Sequence, residues 1–219
     1  MQVYSFSELS EATLREFVTL HIQRGVSSEW ENMQKPGLTP AEVAQIDYLK
    51  SILRERALVV MNEGTLWARA IYPLLVLAEH TYIQAWTGIP LRATYPSFEL
   101  EGVADGALAP AAAGKPCQPY FIVYAAKRGV NAPDPQVQLY GQMLAAARLN
   151  WIDKAEPPAT QEIFGCYAVS ESWTFVRGVI SDIDTEKPAF TAAFSRVYDG
   201  IFEAECIVRL LKAIVAKQL

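Results

Sequence analysis

Cysteine and histidine are scarce in this chain. Cys117, Cys166 and Cys206 stand far apart, are odd in number and form no CxxC pair. Neither a disulfide framework nor a thiolate zinc site is expected, and free buried thiols are the better reading. His21 and His80 are the two histidines, so a histidine-rich centre is excluded and any metal would need carboxylates. No apolar run approaches the roughly 18 residues of a transmembrane helix, so no membrane partner is expected. The opening "MQVYSFSELSEATLREF" lacks a basic start and an apolar core, so a cytoplasmic protein without a signal peptide is expected. GxGxxG and GxxxxGK[ST] are absent, and with them the loops that cradle nucleotides, so no organic cofactor is expected. Positive charge is short as well, with 19 Lys and Arg against 24 Asp and Glu, net −5. That balance argues against a constitutive nucleic-acid binder, although a small basic groove fits on an acidic protein.

Of the 219 residues, 51% are apolar and 20% charged, enough for one α/β domain with a sizeable core. Helical spacing over residues 6 to 24 predicts a first helix, capped by Ser10 or Ser7. Thr39, Pro40 and Glu42 form an N-terminal signature for a second helix reaching about Val60. A third pattern covers about 63 to 86, with Pro73 expected to kink or divide it. The period then changes. Strands are predicted near 92–100 and 102–109 and over "YFIVYAA", followed by an amphipathic helix in "QVQLYGQMLAAARLNW" with Val137, Tyr140, Leu144 and Ala147 on one stripe. "IFGCYAVS" and "SWTFVRGVI" read as two further strands, and about 188 to 218 as helix. The expected division is a helical N-terminal extension over 1–62 and an α/β core over 63–219, together one compact unit.

The chemistry-bearing residues gather around "YFIVYAAKRG". Asp105 lies in "LEGVADGALA", Lys127 ends the next predicted strand, and Gln138 and Gln142 share one face of the helix that follows. Metal-assisted phosphodiester cleavage needs carboxylates to hold Mg²⁺ and a lysine near the attacking water. Each residue also has a plainer role. Asp-Gly at 105–106 suits a hairpin turn, Lys127 suits a soluble strand edge, the glutamines suit a solvated helix face, and Glu63 suits the first turn of a helix. The tryptophans read as packing rather than a base-stacking platform.

In their order and separations, "NEGTLWARAIYPLL", "GVADGAL", "FIVYAAKRG" and "QVQLYGQMLAAA" resemble the PD-(D/E)xK nuclease superfamily over about 63 to 180. The likeness is greatest to the branch of the N-terminal nuclease domain of type I restriction subunits. The resemblance implies a restriction-endonuclease-like mixed sheet flanked by helices. It implies Glu63 and Asp105 as ligands of Mg²⁺, Lys127 as the residue assisting the water, and Gln138 as the residue orienting water or phosphate. One position departs: Ala125 stands where the family's second acid would be, and alanine cannot bind a metal. Tyr124 points to the opposite face of a strand, and Glu79 is the reserve for Glu63. Two function classes compete. One is a nuclease-derived binding module with an incomplete metal site, its partner a nucleic acid, a protein or a second copy of this chain. The other is an active Mg²⁺-dependent nuclease with a rearranged acid set. An unrelated α/β domain is the third reading.

Overall fold

The computed structural model describes residues 1–56, 58, 61–120, 122–127 and 135–218; the side chains of 122–127 and of Gln218 lie outside that description. The architecture is α/β. A mixed nine-stranded sheet runs in the order β1-β4-β6-β7-β8-β9-β2, with β3 and β5 also paired to β4, and helices pack on its faces.

The first 62 residues are not a purely helical extension. They supply β1 (Gln2–Ser5), a 3-10 turn (Phe6–Glu8), α1 (Glu11–Phe17), β2 (Thr19–Val26), α2 (Ser28–Asn32) and α3 (Pro40–Leu53). β1 joins the sheet beside β4, and β2 closes the far edge beside β9. The predicted helix over 6–24 therefore stops at Phe17. Its second half, "TLHIQRGV", extends because a strand edge across the molecule offers hydrogen bonds that local spacing does not reveal. Both expected caps form. Ser10 Oγ accepts from the Thr13 amide at 3.0 Å. Thr39 and Glu42 make a reciprocal capping box, with Thr39 N donating to Glu42 Oε2 at 2.7 Å.

Pro73 does divide its helix. α4 (Glu63–Leu66) passes through a π-turn (Trp67–Ile71) into α5 (Tyr72–Val76). Proline offers no N–H to the preceding turn, and the Tyr72 amide bonds instead to Trp67 O, five residues back. The helical reading fails beyond Val76, since residues 83–86 belong to a strand.

β3 (Ile83–Thr94) and β4 (Phe98–Ala112) form a long antiparallel hairpin. The turn lies at 95–97, where the Tyr95 amide bonds to Phe98 O at 2.9 Å; it was expected near 101. The short β5 (Lys115–Pro116) and then β6 (Ile122–Lys127) follow, both antiparallel to β4. The helix α6 (Pro135–Ile152) leads to β7 (Thr160–Val169), which runs parallel to β6. β8 (Ser172–Ser181) and β9 (Ala189–Asp199) complete an antiparallel meander, and α7 (Ala204–Gln218) ends the chain's described part. The helix expected from 188 thus begins only at Ala204. "AFTAAFSRVYD" is drawn into the sheet between β8 and β2.

α6 departs from a simple amphipathic stripe, because it is buried almost all round. One side lies on the sheet. The other is covered by Phe6 and Leu9 of the N-terminal turn, which the sequence pattern did not anticipate. Apolar residues form two clusters on opposite sides of the sheet, one around α4, α5 and α7 and one around α6. Within the hairpin, residues of one parity change cluster. Ala85 belongs to the first and Ile89 to the second, while on β4 Leu108 belongs to the first and Leu100 to the second. A long two-stranded ribbon twists strongly enough to rotate its faces this way. The change of face occurs around Thr87–Gly88 and Asp105–Gly106.

Candidate functional site

That change of face is where two of the expected residues meet. Glu63 and Gly64 of α4, Trp67, Thr87 and Gly88 of β3, and Val103 and Asp105 of β4 line a shallow cavity of about 240 Å³. Asp105 is half-buried in mid-strand, not in a turn, so the hairpin-turn reading of "DG" is corrected. Gly106 is required beside it for space. A Cβ there would lie 2.8 Å from Trp67 Cζ2 and 3.1 Å from Trp86 O. Thr87 Oγ1 donates to Asp105 O at 3.0 Å, tying the two strands at the cavity. Glu63 is exposed in the first turn of α4, where Asn62 Oδ1 accepts from Thr65 N at 2.8 Å as the cap. Glu79, the reserve, lies apart. It lines a separate cavity with Pro36, Ala78, His80 and Lys212, and its Oε1 accepts from the Ala85 amide at 2.8 Å.

β6 approaches from the other side. Gly106 pairs with Tyr124, Ala107 with Val123 and Leu108 with Ile122. The Asp105–Gly106 step of β4 therefore begins where the backbone of Tyr124–Ala125 runs alongside. Across β6, Ala125 is the register partner of Tyr167 and Lys127 of Val169. The side chains of Ala125 and Lys127 are outside the described residues, as are residues 128–134. Asn150 fixes the approach to β6: its Oδ1 accepts from Tyr120 N and its Nδ2 donates to Tyr120 O, both at 2.8 Å.

The helix after β6 carries the glutamines. Gln138 is half-buried. Gln136, which the sequence reading passed over, has its Nε2 donating to Tyr167 Oη at 3.2 Å and its Oε1 accepting from Tyr140 Oη at 3.4 Å. Its spacing of four from Tyr140 was a usable signal. Gln142 is fully buried, not solvated. Trp67, one helical turn after Glu63, was legible in the same way. Thr87 and Gly88 were not, because their segment borders one read as helix.

Two other groups carry charge without joining this site. Arg92 lies against Glu99 at 2.6 Å and Glu101 at 3.8 Å on the hairpin. Arg92's hydrogen bond, opposed by some desolvation, holds the Glu99 carboxyl below its ordinary range. A larger cavity of about 580 Å³ is lined by residues including Arg177, Lys217 and Glu29. Arg177 is engaged there by Glu29 at 2.8 Å and Glu162 at 2.5 Å, and Lys217 by Glu162 at 2.9 Å. Burial pushes the Glu162 carboxyl up, but the hydrogen bonds from Lys217 and Arg177 outweigh it and leave it below its ordinary value.

Among the described residues no group of three or more His, Cys, Asp or Glu is arranged to hold a metal, and no helix is long and apolar enough to cross a membrane. Cys117, Cys166 and Cys206 are free thiols, and burial raises the Cys166 thiol well above its ordinary range. Glu63 and Asp105 are the two carboxylates among the residues lining the shared cavity. No family model matches the chain, and no curated protein matches its sequence.

Proposed function

We propose that this protein is a nuclease-derived module of the PD-(D/E)xK type, with a restriction-endonuclease-like core and an incomplete Mg²⁺ site, acting by binding rather than by cleavage. The observation that carries this reading is the shared cavity of Glu63 and Asp105, set where β6 begins to pair with β4. The chain order supports it: an early helix bearing Glu63, a strand bearing Asp105, a neighbouring strand ending at Lys127, then the helix bearing Gln138.

The loss of catalysis follows from Ala125. Mg²⁺ takes few of its ligands from protein, commonly one or two carboxylates. Removing an acid deletes a ligand and about one charge, which weakens the ion's hold and the activation of water. The proposed partner is a nucleic acid, gripped at phosphate by Lys127 and Gln138, and the acidic balance of the chain favours a narrow contact over a broad basic face. A second reading, an active Mg²⁺-dependent nuclease, draws on the same pair of carboxylates. There Glu63 and Asp105 would hold the ion, Lys127 would assist the water and Gln138 would orient it.

A plasmid-nicking assay with Mg²⁺ or Mn²⁺ tests both. The expected result is no nicking by the natural protein and nicking by Ala125→Glu. Nicking by the natural protein that Lys127→Ala abolishes would establish the enzyme instead. No nicking by either protein, with no uptake of Mn²⁺ and no retention of DNA or RNA, would remove both readings in favour of an unrelated α/β domain.

A further inference from the structure

The cavity of about 580 Å³ beside Arg177 is built from three parts of the fold. Strand alternation sets its floor. Glu162 and Phe164 are two apart on β7, and Arg177 of β8 is the register partner of Phe164, so these side chains share one face of the sheet. One wall is α7, where Ala213, Ala216 and Lys217 fall at i, i+3 and i+4. The other is α2 and the residues after it, with Glu29, Asn32 and Met33 at the same spacing and Gln34 beyond. Trp30 pins this second wall: its side chain is buried, and its Nε1 donates to Ala193 O at 3.2 Å. Small-molecule sites commonly enclose about 300–1,000 Å³, and the cavity falls within that range.

The four charges here are held unequally. Glu162 is the least exposed, its side chain 22% accessible, and it holds both cations, Arg177 Nε at 2.5 Å and Lys217 Nζ at 2.9 Å. The Lys217 ammonium also stands 5.2 Å from the centre of the Phe164 ring, a favourable cation–π position. These contacts fix two positive charges around one negative. Glu29 balances the set from the rim. It meets Arg177 Nη1 at 2.8 Å with its own side chain 54% exposed, and an ion pair so open to water contributes little. Arg177 Nη2 makes no hydrogen bond to a described residue. Glu162 is therefore the fixed partner of Arg177, and Glu29 the exchangeable one.

The Glu29 carboxylate marks the position that a ligand's anionic head would take. A head that replaced it would meet the Nη1 and Nη2 edge of the guanidinium, whose fork suits a carboxylate. With Glu29 displaced, Arg177 and Lys217 against Glu162 leave one net positive charge, which matches a monoanion. Beyond the charges lie Met33, Ala213 and Ala216, an apolar shelf with an adaptable thioether. We propose that this cavity binds an amphipathic organic monocarboxylate, its head on Arg177 and Lys217 in place of Glu29 and its apolar body against Met33, Ala213 and Ala216. The site shares no lining residue with the cavity of Glu63 and Asp105, and it is independent of the function proposed above.

Isothermal titration calorimetry with three probes tests the proposal: octanoate, acetate as the head without a body, and 1-octanol as the body without a charge. The natural protein should bind octanoate at least about tenfold more tightly than either acetate or octanol. Glu29→Gln removes the competing carboxylate and should tighten octanoate binding by about threefold. Arg177→Gln removes the fork and should weaken it by about tenfold or more. No binding of octanoate, or equal affinity for octanoate and octanol, would overturn the proposal. An octanoate affinity unchanged in both variants would place the ligand elsewhere and overturn it as well. The comparison of the three probes on the natural protein needs no variant to fold.

Discussion

The indole of Trp67 rests on the Cα of Gly106, with no room for a methyl group between them. This contact closes one wall of the cavity shared by Glu63 and Asp105 and fixes the π-turn of the divided helix against the twisted hairpin. Gly106→Ala should force the ring aside and cost about 1–3 kcal/mol through overpacking. Urea unfolding followed by tryptophan fluorescence would register the loss, and a red shift of the native spectrum would report the opened wall.

Asn150 presents the second structural test. Its amide satisfies both backbone groups of Tyr120, just ahead of β6. Asn150→Ala would leave a buried N–H and a buried C=O unpaired, at about 2–4 kcal/mol. Hydrogen exchange should also quicken at the start of β6 relative to β8, which receives no such support from Asn150. Unchanged exchange there would mean that β6 holds its place without Asn150.

Acid should release the Arg177–Glu162–Lys217 network. The Glu162 carboxyl titrates below its usual 4.5 in the folded protein. A depressed folded value contributes stability above the unfolded value, and that contribution disappears as pH falls through the folded one. The natural protein should therefore melt above Glu162→Gln at about pH 6, with the gap closing below about pH 4. Thermal melts of both proteins across that range check the sign. A gap that widened on acidification would place the stabilising charge elsewhere.

On the function proposed above, adding an acid at position 125 should strengthen metal binding. Calorimetric titration with Mn²⁺ is expected to show affinity at least about tenfold tighter for Ala125→Glu than for the natural protein, since each added carboxylate supplies both a ligand and a charge. If the added glutamate left affinity unchanged, position 125 would not face the ion.

Legibility in the sequence followed the range of the interaction concerned. The capping box at Thr39, the division at Pro73 and the long helix from Pro135 are local. Each is set by backbone valence or by side chains within one turn. Asp105 and Glu63 were expected as neighbours through the family resemblance alone, because the twist that brings them to one cavity belongs to the whole ribbon of β3 and β4. The strands β2 and β9 were read as helix, since their spacing of apolar residues fits either state when no partner strand is specified.

The order of chemistry-bearing residues, the excluded cofactor loops and the helix boundaries set by Thr39, Pro73 and Pro135 were determined by the chain alone. Tertiary structure decided the rest. It decided that the first 26 residues supply strands at both ends of the sheet, that α6 is buried on nearly every side, and that Gln142 is enclosed. Strand pairing and burial are relations between distant segments, and their free energy appears only when those segments meet.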